Sequence, residues 1–368
     1  MVSPTRSRRR HERASRSEGH LAKPPSEEAP GGRAAAEAAK HVAHAEGLDS
    51  FWAMARGNGD DIRHLRSVAE VKQALAGPTD RVWIDLISPE HDDLAELSAV
   101  LGLHPLVTED ILESNQRAKI ENYGDALHIV MFGLTYEGEI VAHEMDIVLG
   151  ERYLLTAHDA DIDPRGAPFT KREEGFHLAG GPDFVLWAIS DWLVDGYFPV
   201  FDRLGDEIDD LEADVMRKPN QWIVERLFQV RRDLLLIRHA VTPQREIFNQ
   251  LTNRDSKLIK PDRIVYFRDI YDHLIRLTDE LDSYRELVST TLDIYLSQVN
   301  NNLSEIMKRL TGVTVVLATI AAIGGIFGMS EAGSAFNFTE SWGFWAVTLA
   351  SIVIAGSTYL FFRRRGWI

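Results

Sequence analysis

The sequence predicts an α+β membrane protein: an N-terminal α/β domain, a long stalk helix and two C-terminal transmembrane helices. Three observations carry this. Two runs without a charged residue, Leu310–Phe327 and Trp342–Phe362, stand near the C-terminal end. From Asp262 onward there is no proline, and no glycine until Gly312, so one uninterrupted helix leads into the first run. Between residues 49 and 180, short β-type runs alternate with helical ones.

A helix rises about 1.5 Å per residue, so an apolar run of about 20 residues crosses a hydrocarbon core of about 30 Å. Backbone groups inside lipid have no water to bond, which leaves the helix as the satisfied state. Lys308 and Arg309 precede the first run, and Arg363, Arg364 and Arg365 follow the second. Residues 330–341 between them contain Glu331 and Glu340 but neither lysine nor arginine. The excess of cationic residues on the inner side of membranes places both chain ends in the cytoplasm and this loop outside, in the cell's inner (plasma) membrane.

The domain plan follows. Residues 1–46 form a basic arm, with Arg8, Arg9 and Arg10 beside Pro24 and Pro25, that buries little surface and is expected to be disordered. It has no apolar stretch of the signal-peptide kind. Residues 47–180 are the α/β domain, 181–261 a helical hairpin and 262–309 the stalk. Then come the first span (310–329), the external loop (330–341), the second span (342–362) and a basic tail (363–368).

Within the α/β domain, Val82–Leu86 reads as a strand and Asp92–Leu101 as a helix. His104-Pro105 breaks the chain, and Leu106–Leu112 resumes helix. Leu127–Leu134, Glu144–Leu149 and Arg152–Ala157 read as strands, with residues 136–139 as a hairpin turn. Phe184–Val200 carries apolar residues at helical spacing and leads into an acidic surface from Asp206 to Asp214. Lys218-Pro219 ends that helix, and Trp222–Ala240, with Arg226, Arg231, Arg232 and Arg238, returns as a basic partner. A helix from Asp262 to Phe327 would be about 100 Å long, which suits a rigid connection between a soluble body and a membrane.

The formal charge is −16 although the N-terminal arm is basic, so the folded part is acidic. That balance disfavours nucleic acid and suits cations. With no cysteine there is neither a disulfide nor a thiolate metal site. No phosphate-cradling glycine loop and no nucleophile–base arrangement stands out, so an enzyme is not expected. In the first span Ser304, Met307, Thr311, Thr314, Ala318, Ala321, Gly325 and Gly328 recur at steps of three and four, one helix face of small or weakly polar residues. Leu310 lies beside it. Such a face serves either a water-filled path or close helix packing.

Four blocks, in order, resemble the CorA family of divalent-cation channels. The first is Trp83-Ile84-Asp85-Leu86 with the run from Leu103-His104-Pro105 to Asp110-Ile111-Leu112. The second is Arg117-Ala118-Lys119-Ile120-Glu121 with Tyr123. The third is Tyr266–His273 followed by Leu292–Ser297, and the fourth Glu305–Thr311 leading to Gly328-Met329-Ser330. The resemblance departs from the family pattern at Ser330, where the family has asparagine after Gly-Met, at Phe327, where tyrosine is usual, and at Thr319, where proline is common.

The resemblance implies a funnel-shaped homopentamer whose first span lines a pore. Mg²⁺, with Co²⁺ or Ni²⁺ as further cargo, would enter down the membrane potential and be held as a hydrated ion by rings of oxygen atoms. Met307 and Leu310 would form the constriction, and Gly328, Met329, Ser330 and Glu331 the outer mouth. Carboxylates at subunit contacts would close the assembly when internal Mg²⁺ is high. The matching positions are Asp110 and Asp269, with Glu109 and Asp191 nearby, and Asp293 could add a ring in the stalk. Two other readings stay open: a zinc or proton-coupled transporter of the same superfamily, and a membrane-anchored scaffold that no longer transports.

Overall fold

A computed structural model describes residues 50–57, 62–136, 138–167, 176–253, 257–328 and 341–367. A seven-stranded sheet forms the soluble core: β1 (Phe51–Arg56), β2 (Ile62–Leu65), β3 (Arg81–Ile87), β4 (Lys119–Asn122), β5 (Ala126–Tyr136), β6 (Ile140–Gly150) and β7 (Tyr153–His158). Their order across the sheet is β2-β1-β3-β7-β6-β5-β4. Only β3 and β7 run parallel; every other pair is antiparallel. β5 and β6 pair antiparallel up to Tyr136 opposite Ile140, as the expected hairpin requires. β1, β2 and β4 were not anticipated. β4 is four residues long and partly exposed, too short for alternation to announce it.

Three short helices, α1 (Val68–Ala76), α2 (His91–Leu101) and α3 (Pro105–Glu113), cover one face of the sheet. The break at His104-Pro105 is a helix start: Pro105 takes the first position, and the His104 ring accepts a hydrogen bond from the Leu106 amide at 3.2 Å. Gly102 closes α2 at φ +68°, the left-handed conformation that glycine adopts without steric cost. Ala53, Ala55, Ile84, Leu86, Val148 and Leu155 from the strands meet Leu94, Leu97, Val107 and Ile111 there.

The other face carries α4 (Phe176–Gly180), α5 (Pro182–Asp195), α6 (Tyr197–Arg217), α7 (Gln221–Asn253) and the start of α8 (Ile264–Gly328). The run expected as one helix through Val200 divides at Gly196, where glycine costs about 1 kcal/mol of helix propensity relative to alanine. Conversely, α7 continues past Ala240 to Asn253, through Pro243. An interior proline costs about 3 kcal/mol. Burial of Ile247, Phe248 and Leu251 offsets it, at about 1.5–3 kcal/mol for each side chain. The α6–α7 hairpin is held mainly by an apolar seam, with Leu204, Ile208, Leu211 and Val215 against Ile223, Leu227, Val230 and Leu234. Glu207 and Arg226 make a half-buried ion pair across it, while Arg231, Arg232 and Arg238 stay exposed, so compensation of charge is local.

The 65-residue helix α8 begins inside this core. Phe267, Ile270, Leu274, Leu277, Leu281 and Val288 are buried against α6 and α7. Leu292, Ile294 and Tyr295 still pack against the core, and beyond Tyr295 the helix leaves the body. α9 (Ser341–Arg364) returns beside its far end. The region Pro182–Arg217 is also long and apolar enough to cross a membrane, but it is mostly buried in the soluble core, whereas the apolar end of α8 is almost wholly exposed.

Candidate functional site

From Ser304 to Gly325, Gly312 is the one buried position among the described residues, and 316, 319 and 323 are partly covered. These four are spaced four, three and four residues apart, a single stripe, and α9 packs along it. At about 100° per residue the stripe lies roughly 150° around the helix from the face of Ser304, Met307, Thr311, Thr314, Ala318, Ala321 and Gly325. That weakly polar face is exposed along its length. The Thr311 and Thr314 hydroxyls donate to the carbonyls of Met307 and Leu310, each at 2.8 Å. With its proton spent inside the helix, each hydroxyl offers only acceptor lone pairs outward, the polarity that suits waters around a cation. Leu310 and Met307 are exposed. Gly328 ends α8; Met329, Ser330, Glu331 and Glu340 lie outside the described residues.

The stalk between the body and the span exposes a second stripe. Leu296, Val299, Leu303, Ile306 and Leu310 follow at steps of three and four and stand in the open, Leu303 with 56% of its surface accessible. Sustained 3–4 spacing of apolar residues on a free helix is the pattern of helix-to-helix association. Asp293 is exposed near the top of this stripe.

On the soluble body, the four predicted carboxylates fall into two places. Asp191 on α5 lies near Asp269 on α8, and each has a companion one turn on, Asp195 and His273. Partial burial, followed by the negative charges of Asp195 and Asp269, pushes the Asp191 carboxyl up to about 6, against the opposing pull of His273. His273 Nδ1 stands 3.9 Å from Asp195 Oδ1, and it is buried without a hydrogen-bond partner. Asp195 and His273 were not singled out from sequence. Their i, i+4 relation to Asp191 and Asp269 was the signal available.

Asp110 sits elsewhere, on α3 over the opposite face of the sheet, and Glu109 beside it is exposed. The Asp110 carboxylate accepts from Lys119 Nζ at 2.7 Å, and the same ammonium lies 3.0 Å from Glu121. Burial acts to lower the Lys119 pKa, but hydrogen bonds to Asp110 and Glu121 outweigh it and hold the ammonium above its usual range. Behind this pair, fully buried His128 bonds Asp146 at 2.7 Å. Glu144 accepts from the Gln116 amide, and burial together with the charge of Asp146 pushes its carboxyl up to about 7. Within one chain, therefore, Asp110 and Asp269 lie over opposite faces of the sheet. Asp85, from the first matched block, is structural: it holds His158 Nε2 at 3.1 Å and Arg165 Nε at 3.2 Å inside the sheet.

The family model described as CorA-like Mg²⁺ transporter protein matches residues 79–364. The cobalt/magnesium transport protein CorA of Thermotoga maritima is 31% identical over 296 residues, 78% of this chain and 83% of that protein. Its namesake from Methanocaldococcus jannaschii is 26% identical over 294 residues, 78% of this chain and 91% of that one. The solved structure of the complete CorA magnesium transporter from M. jannaschii superposes with a TM-score of 0.71 at 24% identity, covering 86% of this chain and 98% of that one.

Proposed function

This chain belongs to the CorA-like Mg²⁺ transporter family, and from that premise we propose that it is a homopentameric channel carrying Mg²⁺, and also Co²⁺ or Ni²⁺, into the cell. One observation carries the reading. The second membrane helix packs on the side of α8 away from Thr311, Thr314, Ala318 and Ala321, which leaves that acceptor-rich face for an axis shared by several copies. Mg²⁺ sheds water reluctantly and needs octahedral oxygen ligands, so a path without fixed charge passes the hydrated ion without trapping it. The membrane potential supplies about 4.6 kcal/mol per divalent ion per 100 mV, twice the single-charge value. Gly328, Met329, Ser330 and Glu331 form the mouth in this reading, and the shorter serine hydroxyl in place of an amide makes that ring wider and weaker for the ion.

Internal Mg²⁺ closes the channel by bridging Asp110 of one subunit and Asp269 of the next, with Asp191 and Glu109 adding charge. Bare carboxylates across such a contact repel, so the closed assembly is favoured only when the ion is bound. The elevated pKa of Asp191 supports this, because it records a negative field beside Asp269 that a dication relieves. Both chain ends are cytoplasmic. The test is flux into vesicles reconstituted with the purified protein under an inside-negative potential, with Mg²⁺, Co²⁺, Ni²⁺ and Zn²⁺ offered separately. Uptake of Mg²⁺ that grows with the potential is expected. Uptake abolished by collapsing a proton gradient would point to a proton-coupled transporter, preference for Zn²⁺ to a zinc carrier, and impermeability to every dication to a scaffold.

A further inference from the structure

We propose that each subunit holds, within its own chain, a binding site for an imidazole-seeking dication such as Zn²⁺, Co²⁺ or Ni²⁺, formed by His128 Nδ1, Asp110 and Glu121 and occupied in the metal-free state by the Lys119 ammonium. One potential ligand atom from each of the three residues lies within 4.8 Å of the others. Strand register makes the cluster: Glu121 on β4 is paired directly with His128 on β5, so both side chains project from one face toward α3 and Asp110.

The independent observation is the imidazole. His128 is fully buried, and its Nδ1 has no hydrogen-bond partner, which is costly for a buried polar atom. That nitrogen points toward Asp110 Oδ2 at 3.9 Å, too far for a hydrogen bond. On the other side, Nε2 bonds Asp146 Oδ1 at 2.7 Å. With Nε2–H donating to the Asp146 carboxylate, the Nδ1 lone pair faces Asp110 and Glu121. A carboxylate behind the imidazole is the arrangement that orients metal-binding histidines and raises their basicity. Tyr123 steadies the rim by donating to Glu121 Oε2 at 3.1 Å.

Lys119 stands in for the absent charge. Its ammonium bonds Asp110 at 2.7 Å and Glu121 at 3.0 Å, and about a quarter of its side chain is open to solvent. A tethered ammonium can hold two carboxylates but has no use for an imidazole lone pair, and here that lone pair goes unused. A dication does use it. Its entry displaces Lys119 outward along the open side, and small rotations of the half-buried Asp110 and Glu121 close the ligand set. One nitrogen with carboxylate oxygens suits Zn²⁺, Co²⁺ or Ni²⁺ over Mg²⁺, which takes oxygen alone. The site is independent of transport, because it needs one chain and no flux, although it shares Asp110 with the proposed Mg²⁺ contact.

The experiment titrates Co²⁺ into the full-length protein in detergent with Mg²⁺ in excess, following heat and visible absorption. One Co²⁺ per chain that survives Mg²⁺ is expected. His128→Gln, which keeps a donor for Asp146, should weaken that binding at least about tenfold. Lys119→Gln should tighten it severalfold by removing the competing cation, and His273→Ala should leave it in place. Should His128→Gln fail to fold, Glu121→Gln at the partly exposed rim is expected to give the same loss. Unchanged Co²⁺ binding in folded His128→Gln or Glu121→Gln, no tightening in Lys119→Gln, or loss of the site in His273→Ala would each overturn the proposal. Vesicles that pass no ion would overturn the transport reading and leave this one standing.

Discussion

Individual carboxylates on the soluble body are set by what surrounds them. Glu144, with its carboxyl raised to about 7, is the clearest case, because burial and Asp146 both disfavour its charge. Its ordinary pKa lies below the folded value, so its contribution to stability is complete under about 4.5 and is lost as pH climbs through 7. Glu144→Gln cannot ionise and keeps an acceptor for the Gln116 amide. Melting of the detergent-extracted variant should match the parent at pH 4 and exceed it at pH 8, by about 1 kcal/mol after allowance for solvent screening. Equal melting at both values would mean that the charge is tolerated. Asp269 gives the residue-scale test of gating. Asp269→Lys puts a tethered cation where the proposal puts an ion, so Mg²⁺ should no longer protect the protein from protease. Protection equal to the parent's would refute the bridge.

Among the elements, α8 decides most. Its first third is a core helix, its middle a bare rod and its end a membrane span, and one continuous hydrogen-bonded ladder joins them. The 3–4 stripe through Leu296, Leu303 and Leu310 is left exposed by the described residues, and in the proposed assembly it meets other copies of α8. Burying a leucine is worth about 1.5–3 kcal/mol. Leu303→Asp should therefore cost about 2 kcal/mol per chain and shift the particle toward smaller assemblies in mass measurements, with the circular dichroism of the soluble body unchanged. An assembly of parent size would place the subunit contact elsewhere.

At the scale of the whole molecule, the two faces of the sheet separate Asp110 from Asp269, so the proposed ion bridge requires two copies of the chain. The absence of cysteine makes this directly testable. A chain carrying only Asp110→Cys, coexpressed with one carrying only Asp269→Cys, should form disulfide-linked dimers on oxidation, and neither chain alone should do so. No cross-link under oxidant would remove these residues from a common contact.

The membrane spans, the stalk and the main strands were legible in the sequence because each rests on a local pattern: charge-free runs, unbroken helical spacing, β-branched alternation. The candidate carboxylates rest on motif resemblance, and the i, i+4 spacing could have added Asp195 and His273. Short strand β4 and the passage of α7 through Pro243 were not, since pairing partners and buried neighbours decide both. Nor was the His128 arrangement, in which register sets Glu121 beside an imidazole and a helix delivers Asp110. By itself the sequence determined which stretches cross lipid and which face of α8 is weakly polar, because hydrophobicity and helical period are properties of neighbours along the chain. Only the tertiary structure decided which face α9 covers, which carboxylates share a field and which nitrogen is left without a partner, because those depend on residues far apart in sequence meeting in space.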